Sequence, residues 1–144
     1  MARERASSPE EAVALMKRVA VEGSGFTRFT GIEPLVCWEG RSELLLVLRP
    51  DLTQHHGFAH GAVVGAMADN ACAWAAASVA GDVVTANYTL HFLAPAKGTR
   101  LRAKGAVVRA GKRQVICRAE VWSETDDEEP ILAAIATATI TPLG

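Results

Sequence analysis

The alternation of apolar and polar positions divides the chain into a helical start, a strand region, one long apolar segment and a series of strand-like segments. An apolar stripe at helical spacing, introduced by a serine cap, a proline and two acids, predicts an N-terminal helix over about residues 9–22. Residues 26–35 indicate a short strand or a turn. Residues 35–48 predict strand with a break near Gly40, because apolar side chains dominate both faces.

A polar loop at residues 51–60 precedes an apolar helix that extends to about residue 79. Four strand signals follow, at about residues 83–93, 99–110, 113–123 and 131–141, with turn residues between them. This order of elements is typical of an α+β protein. We expect one domain over residues 1–144, in which an antiparallel sheet of five or six strands, the last four forming a meander, curves around the apolar helix.

Composition limits the possible functions. The 144 residues suit one domain, and a hydrophobic share of 49% excludes a disordered chain. The formal net charge of −1 argues against a general nucleic-acid binder. Ten of the 26 alanines lie between Ala59 and Ala80, whereas aromatic residues make up only 6%. Small side chains bury little area each, so we expect close backbone packing or a subunit interface that adds buried surface.

The three cysteines are far apart and form no CxxC pair, which argues against a disulfide framework or a zinc knuckle. The charged N-terminus is not followed by an apolar run, so we expect no signal peptide and a cytoplasmic protein. Residues 61–80 are long enough to span a membrane. A central aspartate would make insertion costly, however, and a helix buried within the protein explains the pattern better.

Asp69 is the strongest candidate for chemistry, because it is the one acid within the apolar segment. An unpaired carboxylate among apolar side chains is costly to bury, and such groups often act as catalytic acids, bases or nucleophiles. The alternative is a structural carboxylate that pairs with a neighbouring polar group.

His60 and Gly61 open the predicted apolar helix. The first amides of a helix lack intrahelical partners and carry partial positive charge, so they can polarise a substrate carbonyl. The alternative is an ordinary glycine at a helix start. His60 and Asp69 are nine residues apart, which corresponds to about 13.5 Å along a helix and to opposite faces. They can therefore act on one substrate atom only if two antiparallel helices of a dimer supply them.

Other chemistries have weaker support. His56 and His60 have the spacing of metal ligands on a helix, but Gly57 disfavours a helix there and the glutamate of an HExxH motif is absent. We therefore expect no metal and no cofactor. There is no GxSxG motif, Cys72 lies in the apolar helix, and Ser78 has no evident histidine partner, which disfavours a covalent nucleophile.

Basic residues cluster late in the chain. Eight of the fifteen lysines and arginines lie in residues 97–119, which contain no acid. Strand alternation places Arg100, Arg102 and Lys104 on one face, where a phosphate-bearing ligand could bind. The alternative is a solvated sheet face. No aromatic residues alternate with these cations, which argues against single-stranded nucleic acid.

Gln54 lies six residues before His60-Gly61, and Ala68-Asp69 follows on the central helix. A second stretch, residues 84–96, ends in Phe92-Leu93-Ala94-Pro95-Ala96. Both stretches resemble the hotdog-fold acyl-CoA thioesterases of the phenylacetate-pathway type, the PaaI type, whose pattern is Gln or Asn, then HGG, then an acid, with a later strand that ends in FLxPA. The similarity spans about residues 26–142. Ala62 replaces the second glycine of HGG but leaves the amide of Gly61 available.

The resemblance implies a hotdog fold, in which a five- to six-stranded antiparallel sheet encloses a long central helix. It also implies a homodimer, often paired into a tetramer, with sites shared between subunits. By position, Asp69 would activate water or attack the thioester, the Gly61 amide would polarise its carbonyl, and Gln54 would position water or the thioester group. The expected substrate-binding residues are His60, Thr85, Asn70, Arg100 and Arg102.

These inferences combine into the hypothesis of a cytoplasmic thioesterase that hydrolyses aryl or medium-chain acyl-CoA to a free acid and CoA. No nucleic-acid or membrane partner is expected. One alternative is a hotdog enoyl-CoA hydratase or dehydratase, which would need a histidine and an acid placed for removal of an α-proton. The other is a non-catalytic acyl-CoA-binding protein.

Overall fold

Serine caps start both of the short helices at the beginning of the chain. The computed structural model describes residues 5–144. Ser8 caps α1 (Pro9–Met16), which continues as a π-helical turn over Lys17–Val21. A second helix, α2 (Gly25–Thr30), begins at the Ser24 cap and ends at Gly31, whose φ of 81° is left-handed. The strand or turn predicted for residues 26–35 is therefore wrong over α2, because six residues are too few to show helical periodicity.

Six strands form one antiparallel sheet. They are β1 (Glu33–Trp38), β2 (Arg41–Val47), β3 (Val83–Phe92), β4 (Arg100–Ala110), β5 (Val115–Glu124) and β6 (Ile131–Pro142). The strand order in the sheet is β1-β2-β4-β5-β6-β3. The four-strand meander predicted for the end of the chain is thus wrong for β3, which crosses to the far edge and pairs only with β6, while β4, β5 and β6 do form a meander.

The long apolar segment forms α3 (Gly61–Ala80), and the sheet curves around it. Alternate residues of β5 face the helix and are buried, whereas the residues between them face outward. The same alternation in β4 buries Leu101 and Ala103 and leaves Arg100 and Arg102 on the outer face. The predicted α+β fold, with a six-stranded sheet around a central helix, is confirmed.

One face of α3 is not covered by the sheet. By length and composition α3 could cross a membrane, but 56% of its most apolar window is buried inside the protein. Complete burial of the helix, as the sequence indicated, is wrong in one respect. A stripe of partly exposed residues runs along it, and Asp69 and Asn70 belong to that stripe.

The two free edges of the sheet differ. β1 is six residues long, contains Pro34 and has an irregular register next to it, and α1 packs against it. These features are typical of a protected edge. β3 is ten residues long, contains no proline, and exposes Tyr88 and Phe92 by 43% and 59%. The β3 edge therefore offers an open set of backbone groups beside apolar side chains.

A glycine allows β4 to approach the helix closely. A Cβ on Gly105 would lie 2.2 Å from the carbonyl oxygen of Ala71 and 2.6 Å from the hydroxyl of Ser42, which itself donates a 2.6 Å hydrogen bond to that carbonyl. We expect Gly105→Ala to lower the free energy of unfolding by about 1–3 kcal/mol, because backbone rather than a flexible side chain must move. Urea unfolding followed by circular dichroism measures this change.

Gly25→Ala is the matched control. A Cβ at Gly25 would meet only a guanidinium nitrogen of Arg28, at 3.8 Å. If the two alanine variants unfold at the same urea concentration, close contact between β4 and α3 at Gly105 does not limit stability.

Candidate active site

The start of α3 leaves one backbone amide unclaimed. His60 is the N-cap, and its Nδ1 accepts a 2.9 Å hydrogen bond from the amide of Ala62. The carbonyl of His60 accepts from the amides of Val63 and Val64, at 2.9 and 3.1 Å. Among the hydrogen bonds of residues 5–144, none uses the amide of Gly61. Gly61 therefore presents a free donor at the positive end of a 20-residue helix.

The Gly61 amide lies at a cleft of about 440 Å³. The cleft is lined by Gln54 and Phe58 from the loop, Gly61 and Val64 from the helix, and Phe92 with residues 93–96. The tip of the Phe92 ring lies 3.2 Å from where a Cβ of Gly61 would be, so the absence of a side chain keeps this approach open. The cleft is mainly apolar, with the free amide at one wall.

Asp69 lies two helical turns further along α3 and is half-buried. The hydroxyl of Thr85 on β3 donates a 2.6 Å hydrogen bond to its Oδ1. No hydrogen bond of the described residues uses Oδ2. The carboxylate is thus fixed through one oxygen while the other remains available. The expectation of a fully buried Asp69 is wrong for the single chain, because the sheet leaves this face of α3 partly open.

A bulge in β3 makes the contact between Thr85 and Asp69 possible. The register between β3 and β6 shifts between Thr85 and Asn87, so Ala86 is an additional residue. Tyr88, Leu90 and Phe92 face α3. Regular alternation would turn Thr85 away from the side that Tyr88 faces, since the two residues are three apart. The additional residue reverses the alternation of side chains at this point, and the Thr85 hydroxyl therefore reaches the helix.

Gly61 and Asp69 both face β3 but lie about 12 Å apart along the helix axis. Asp69 does not line the cleft that contains Gly61. The sequence placed His60 and Asp69 on opposite faces, whereas the helical residue Gly61 shares a face with Asp69. Gly61 and Asp69 are therefore separated along the helix axis rather than around it. One chain by itself does not bring the Gly61 amide and the Asp69 carboxylate to one point.

The part of the cleft lined by Phe58, here called its mouth, has a cation beside it, because Lys97 directly follows Ala96, another lining residue. Gln54 lines the cleft, and its side-chain oxygen accepts a hydrogen bond from the amide of His56. The ammonium of Lys97 lies 4.8 Å from the centre of the Phe58 ring. The backbone fixes this arrangement, because the amide of Ala59 donates a 2.9 Å hydrogen bond to the carbonyl of Ala96, the residue before Lys97.

Arg100 and Arg102 form an ion-pair network on the outer face of the sheet. Both guanidinium groups bind Glu124, at 3.0 Å from Arg100 and 2.8 Å from Arg102. Arg100 also binds Asp126 at 2.7 Å, and Arg102 binds Glu43 at 2.5 Å. Three carboxylates thus balance the two cations that the sequence assigned to substrate phosphates. Their role in substrate binding stays a prediction that this pairing does not favour.

The same network makes stability depend on pH. The hydrogen bond from Arg102, together with that from Arg100, holds the pKa of Glu124 below its ordinary value of 4.5. A lowered pKa in the folded state stabilises the protein above pH 4.5, and this contribution is lost as the pH falls through the folded-state pKa. We expect Glu124→Gln to lose about 1 kcal/mol at neutral pH and to approach the parent in acid. Urea unfolding at a series of pH values measures this, and a constant difference at every pH would contradict it.

The remaining candidate groups are engaged elsewhere or chemically unsuited. Burial raises the pKa of Cys37 and Cys72 to about 12 and that of Cys117 to about 11, so these thiols stay protonated at neutral pH. The Ser78 hydroxyl accepts from the amide of Gly40 and donates to the carbonyl of Ala75. In residues 5–144 no group of three or more His, Cys, Asp or Glu side chains is arranged to hold a metal ion.

The fold and the unclaimed helix amide define a class of protein, the hotdog-fold thioesterases. A family model described as the thioesterase superfamily matches residues 56–130, just over half of the chain. The chain belongs to the thioesterase superfamily. A comparison with curated proteins gives no match.

Solved structures support the same assignment. A thioesterase family protein from Silicibacter pomeroyi is 30% identical, with 90% of this chain and 96% of that chain covered and a TM-score of 0.83. A point mutant of the phenylacetic acid degradation protein PaaI from Thermus thermophilus is 28% identical, with 83% and 100% covered and a TM-score of 0.74. The E. coli PaaI protein, at 20% identity, 95% and 97% coverage and a TM-score of 0.81, shares the fold. The fold is PaaI-like, as the sequence motifs indicated.

Sequence reasoning did not single out two residues that lie next to lining residues of the cleft, Lys97 beside Phe58 and Tyr88 beside Gly65, which directly follows Val64. Lys97 belonged to the basic stretch, but the ion-paired Arg100 and Arg102 were chosen instead. The position of Lys97 directly after the FLxPA-like segment is the sequence feature that could have identified it. The place of Tyr88 beside Gly65 of α3 depends on the bulge in β3, which no local pattern of the sequence indicates.

Proposed function

We propose that the protein is an acyl-CoA thioesterase whose active sites each combine the Gly61 amide of one subunit with Asp69 of the other. The observation that carries the proposal is the single unclaimed amide at the start of α3, which belongs to Gly61, a residue that lines an open apolar cleft. A donor in this position suits the oxygen of a thioester carbonyl, on which negative charge develops during hydrolysis. Membership of the thioesterase superfamily supports this chemistry.

The proposed reaction is hydrolysis by an activated water. Oδ2 of Asp69 takes a proton from the water as its oxygen bonds to the thioester carbon. The amide of Gly61 donates a hydrogen bond to the resulting oxyanion. When the tetrahedral intermediate collapses, the carbon–sulfur bond breaks, and the CoA thiolate leaves and takes up the proton that Asp69 received from the water, which restores the carboxylate. Thr85 keeps the carboxylate oriented through Oδ1.

A dimer that pairs the β3 edges would complete the site. The β3 edge has ten residues without proline and exposes Tyr88 and Phe92. Antiparallel pairing of two such edges would extend the sheet and bury this apolar surface. Two antiparallel α3 helices would then lie side by side, with the N-terminus of each beside the middle of the other. This arrangement supports a site that one chain does not form alone.

We assign the mouth of the cleft to CoA. The exposed ammonium of Lys97 and the ring of Phe58 are 4.8 Å apart there, and both are accessible to a phosphate and an adenine ring. This assignment takes the place of Arg100 and Arg102, whose charges are balanced by carboxylates. Gln54 lines the same cleft as Gly61 and would position the thioester.

Complementation between two inactive variants tests both the activity and the shared site. Release of free CoA thiol from a panel of acyl- and aryl-CoA substrates measures hydrolysis by the parent protein. Asp69→Asn and Gly61→Pro should each be inactive, but their heterodimer retains one site with both groups intact. Because half of the randomly formed dimers are heterodimers, the co-expressed variants should recover about a quarter of the parent activity.

Two outcomes count against the proposal in different ways. If the parent releases no CoA from any substrate of the panel, the thioesterase activity is wrong. If the parent is active but the mixed variants stay inactive as isolated heterodimers, the two groups act within one chain and the shared site is wrong.

A further inference from the structure

Tyr88 occupies a central position between the two groups of the proposed site. Its hydroxyl lies 3.1 Å from where a Cβ of Gly65 would be, so the ring packs directly against α3 at Gly65. Gly65 is four residues from Gly61 and four residues from Asp69. One helical turn, about 6 Å, therefore separates Tyr88 from each of them along the axis.

In a dimer with shared sites, the position of Tyr88 and Gly65 lies beside the two-fold axis. If Gly61 of one subunit faces Asp69 of the other across antiparallel helices, two-fold symmetry places Gly65 of both helices beside the axis. Tyr88 packs on Gly65, so the two Tyr88 rings lie there as well, between the two active sites. A side chain at this place can limit the space for the acyl group in both active sites.

The cleft sets the direction in which the acyl group enters. Gln54 and Phe58 line one part of the cleft, Lys97 lies beside Phe58, and the proposed function assigns CoA to that part. The reacting carbonyl lies at Gly61. Val64 and Phe92 line the cleft, and Gly65, on which Tyr88 packs, directly follows Val64 in α3. An acyl group that continues past Val64 would therefore approach Tyr88.

We infer that Tyr88 closes the inner end of the acyl pocket and sets the maximum size of the acyl group that the enzyme accepts. This inference rests on the proposed function and on its shared site. About one turn of helix, roughly 6 Å, separates Gly61 from Gly65 and the ring along the axis, a distance comparable to a short acyl or an aryl group. No hydrogen bond of the described residues uses the Tyr88 hydroxyl, so that group is free to meet the end of an acyl group.

Chain-length selectivity tests this role. The measured quantity is the ratio of kcat/KM for dodecanoyl-CoA to kcat/KM for benzoyl-CoA. Tyr88→Ala removes the ring and should raise this ratio about tenfold or more, because the added methylenes gain a pocket in which to bind. Tyr88→Phe keeps the ring and should leave the ratio close to that of the parent.

Gly65→Ala provides a second variant with the opposite expected effect. Its new methyl group would lie 3.1 Å from the Tyr88 hydroxyl and would take up space beside the ring, so the ratio should fall below that of the parent. If Tyr88→Ala loses the dimer, Gly65→Ala still tests the inference, because alanine favours the helix and the fold of this variant should be kept. Light scattering reports the oligomeric state of each variant.

The outcomes separate this inference from the proposed function. An active parent with the same ratio in Tyr88→Ala and Gly65→Ala overturns the role of Tyr88 and leaves the thioesterase activity standing. A parent that hydrolyses no acyl-CoA overturns both. A ratio that rises in Tyr88→Ala, falls in Gly65→Ala and is unchanged in Tyr88→Phe supports the inference.

Discussion

Asp69→Asn is expected to lower kcat for acyl-CoA hydrolysis by about 10²–10⁴-fold, the usual contribution of a positioned general base. The amide has nearly the shape of the carboxylate and can still accept the hydrogen bond from Thr85. It no longer accepts a proton from water, so the loss should appear in kcat while substrate binding changes little. Steady-state kinetics with a thiol-trapping assay measures both parameters.

Asp82→Asn is the matched control for this substitution. Asp82 is an exposed carboxylate in the turn between α3 and β3, and its replacement makes the same change of charge away from the cleft. We expect its kcat to equal that of the parent. If Asp69→Asn retains the parent kcat, the carboxylate is structural, and a different group must activate the water.

Gly61→Pro is expected to lower kcat by about 10²–10³-fold, the typical effect of losing one oxyanion-hole donor. Proline removes the amide hydrogen that no other residue uses, and the first position of a helix tolerates proline. The preceding residue is also compatible, because His60 has φ −59° and ψ 140°, a conformation that precedes proline readily. The helix should therefore form normally, and circular dichroism checks that it does.

Gly61→Ala distinguishes the donor from the space around it. Alanine keeps the amide hydrogen but adds a Cβ that meets the Phe92 ring at 3.2 Å, so it reports the steric part of the effect. We expect the alanine variant to lose much less kcat than the proline variant, with a change mainly in KM. Equal kcat values for the two variants would show that crowding at Phe92, rather than the amide, limits the reaction.

The local features of the chain were predictable because their signals are local. The cap at Ser8, the turns between strands and the alternation in β4 and β5 depend on residues close together in sequence. The motif containing Gln54, Gly61 and Asp69 is also contained within sixteen residues, so the candidate site could be named before the fold was known. The helix α2 was missed because it is too short to be periodic.

Contacts between distant segments could not be predicted in the same way. The crossing of β3 to the far edge of the sheet follows from its pairing with β6, about fifty residues later. The pairing of Arg100 and Arg102 with Glu124 and Glu43 depends on the register of neighbouring strands. One residue of slippage would turn these side chains to the other face.

The sequence by itself determined the long apolar helix, the sheet that covers it, and the residue types at the start and the middle of that helix. These depend on hydrophobic periodicity and capping, which act over a few residues. Only the tertiary structure decided that the Gly61 amide is free, that Thr85 holds Asp69, and that Tyr88 lies between them on Gly65. The contacts of Thr85 and Tyr88 depend on where β3 passes over α3 and on the bulge at Ala86, and no local pattern fixes that alignment.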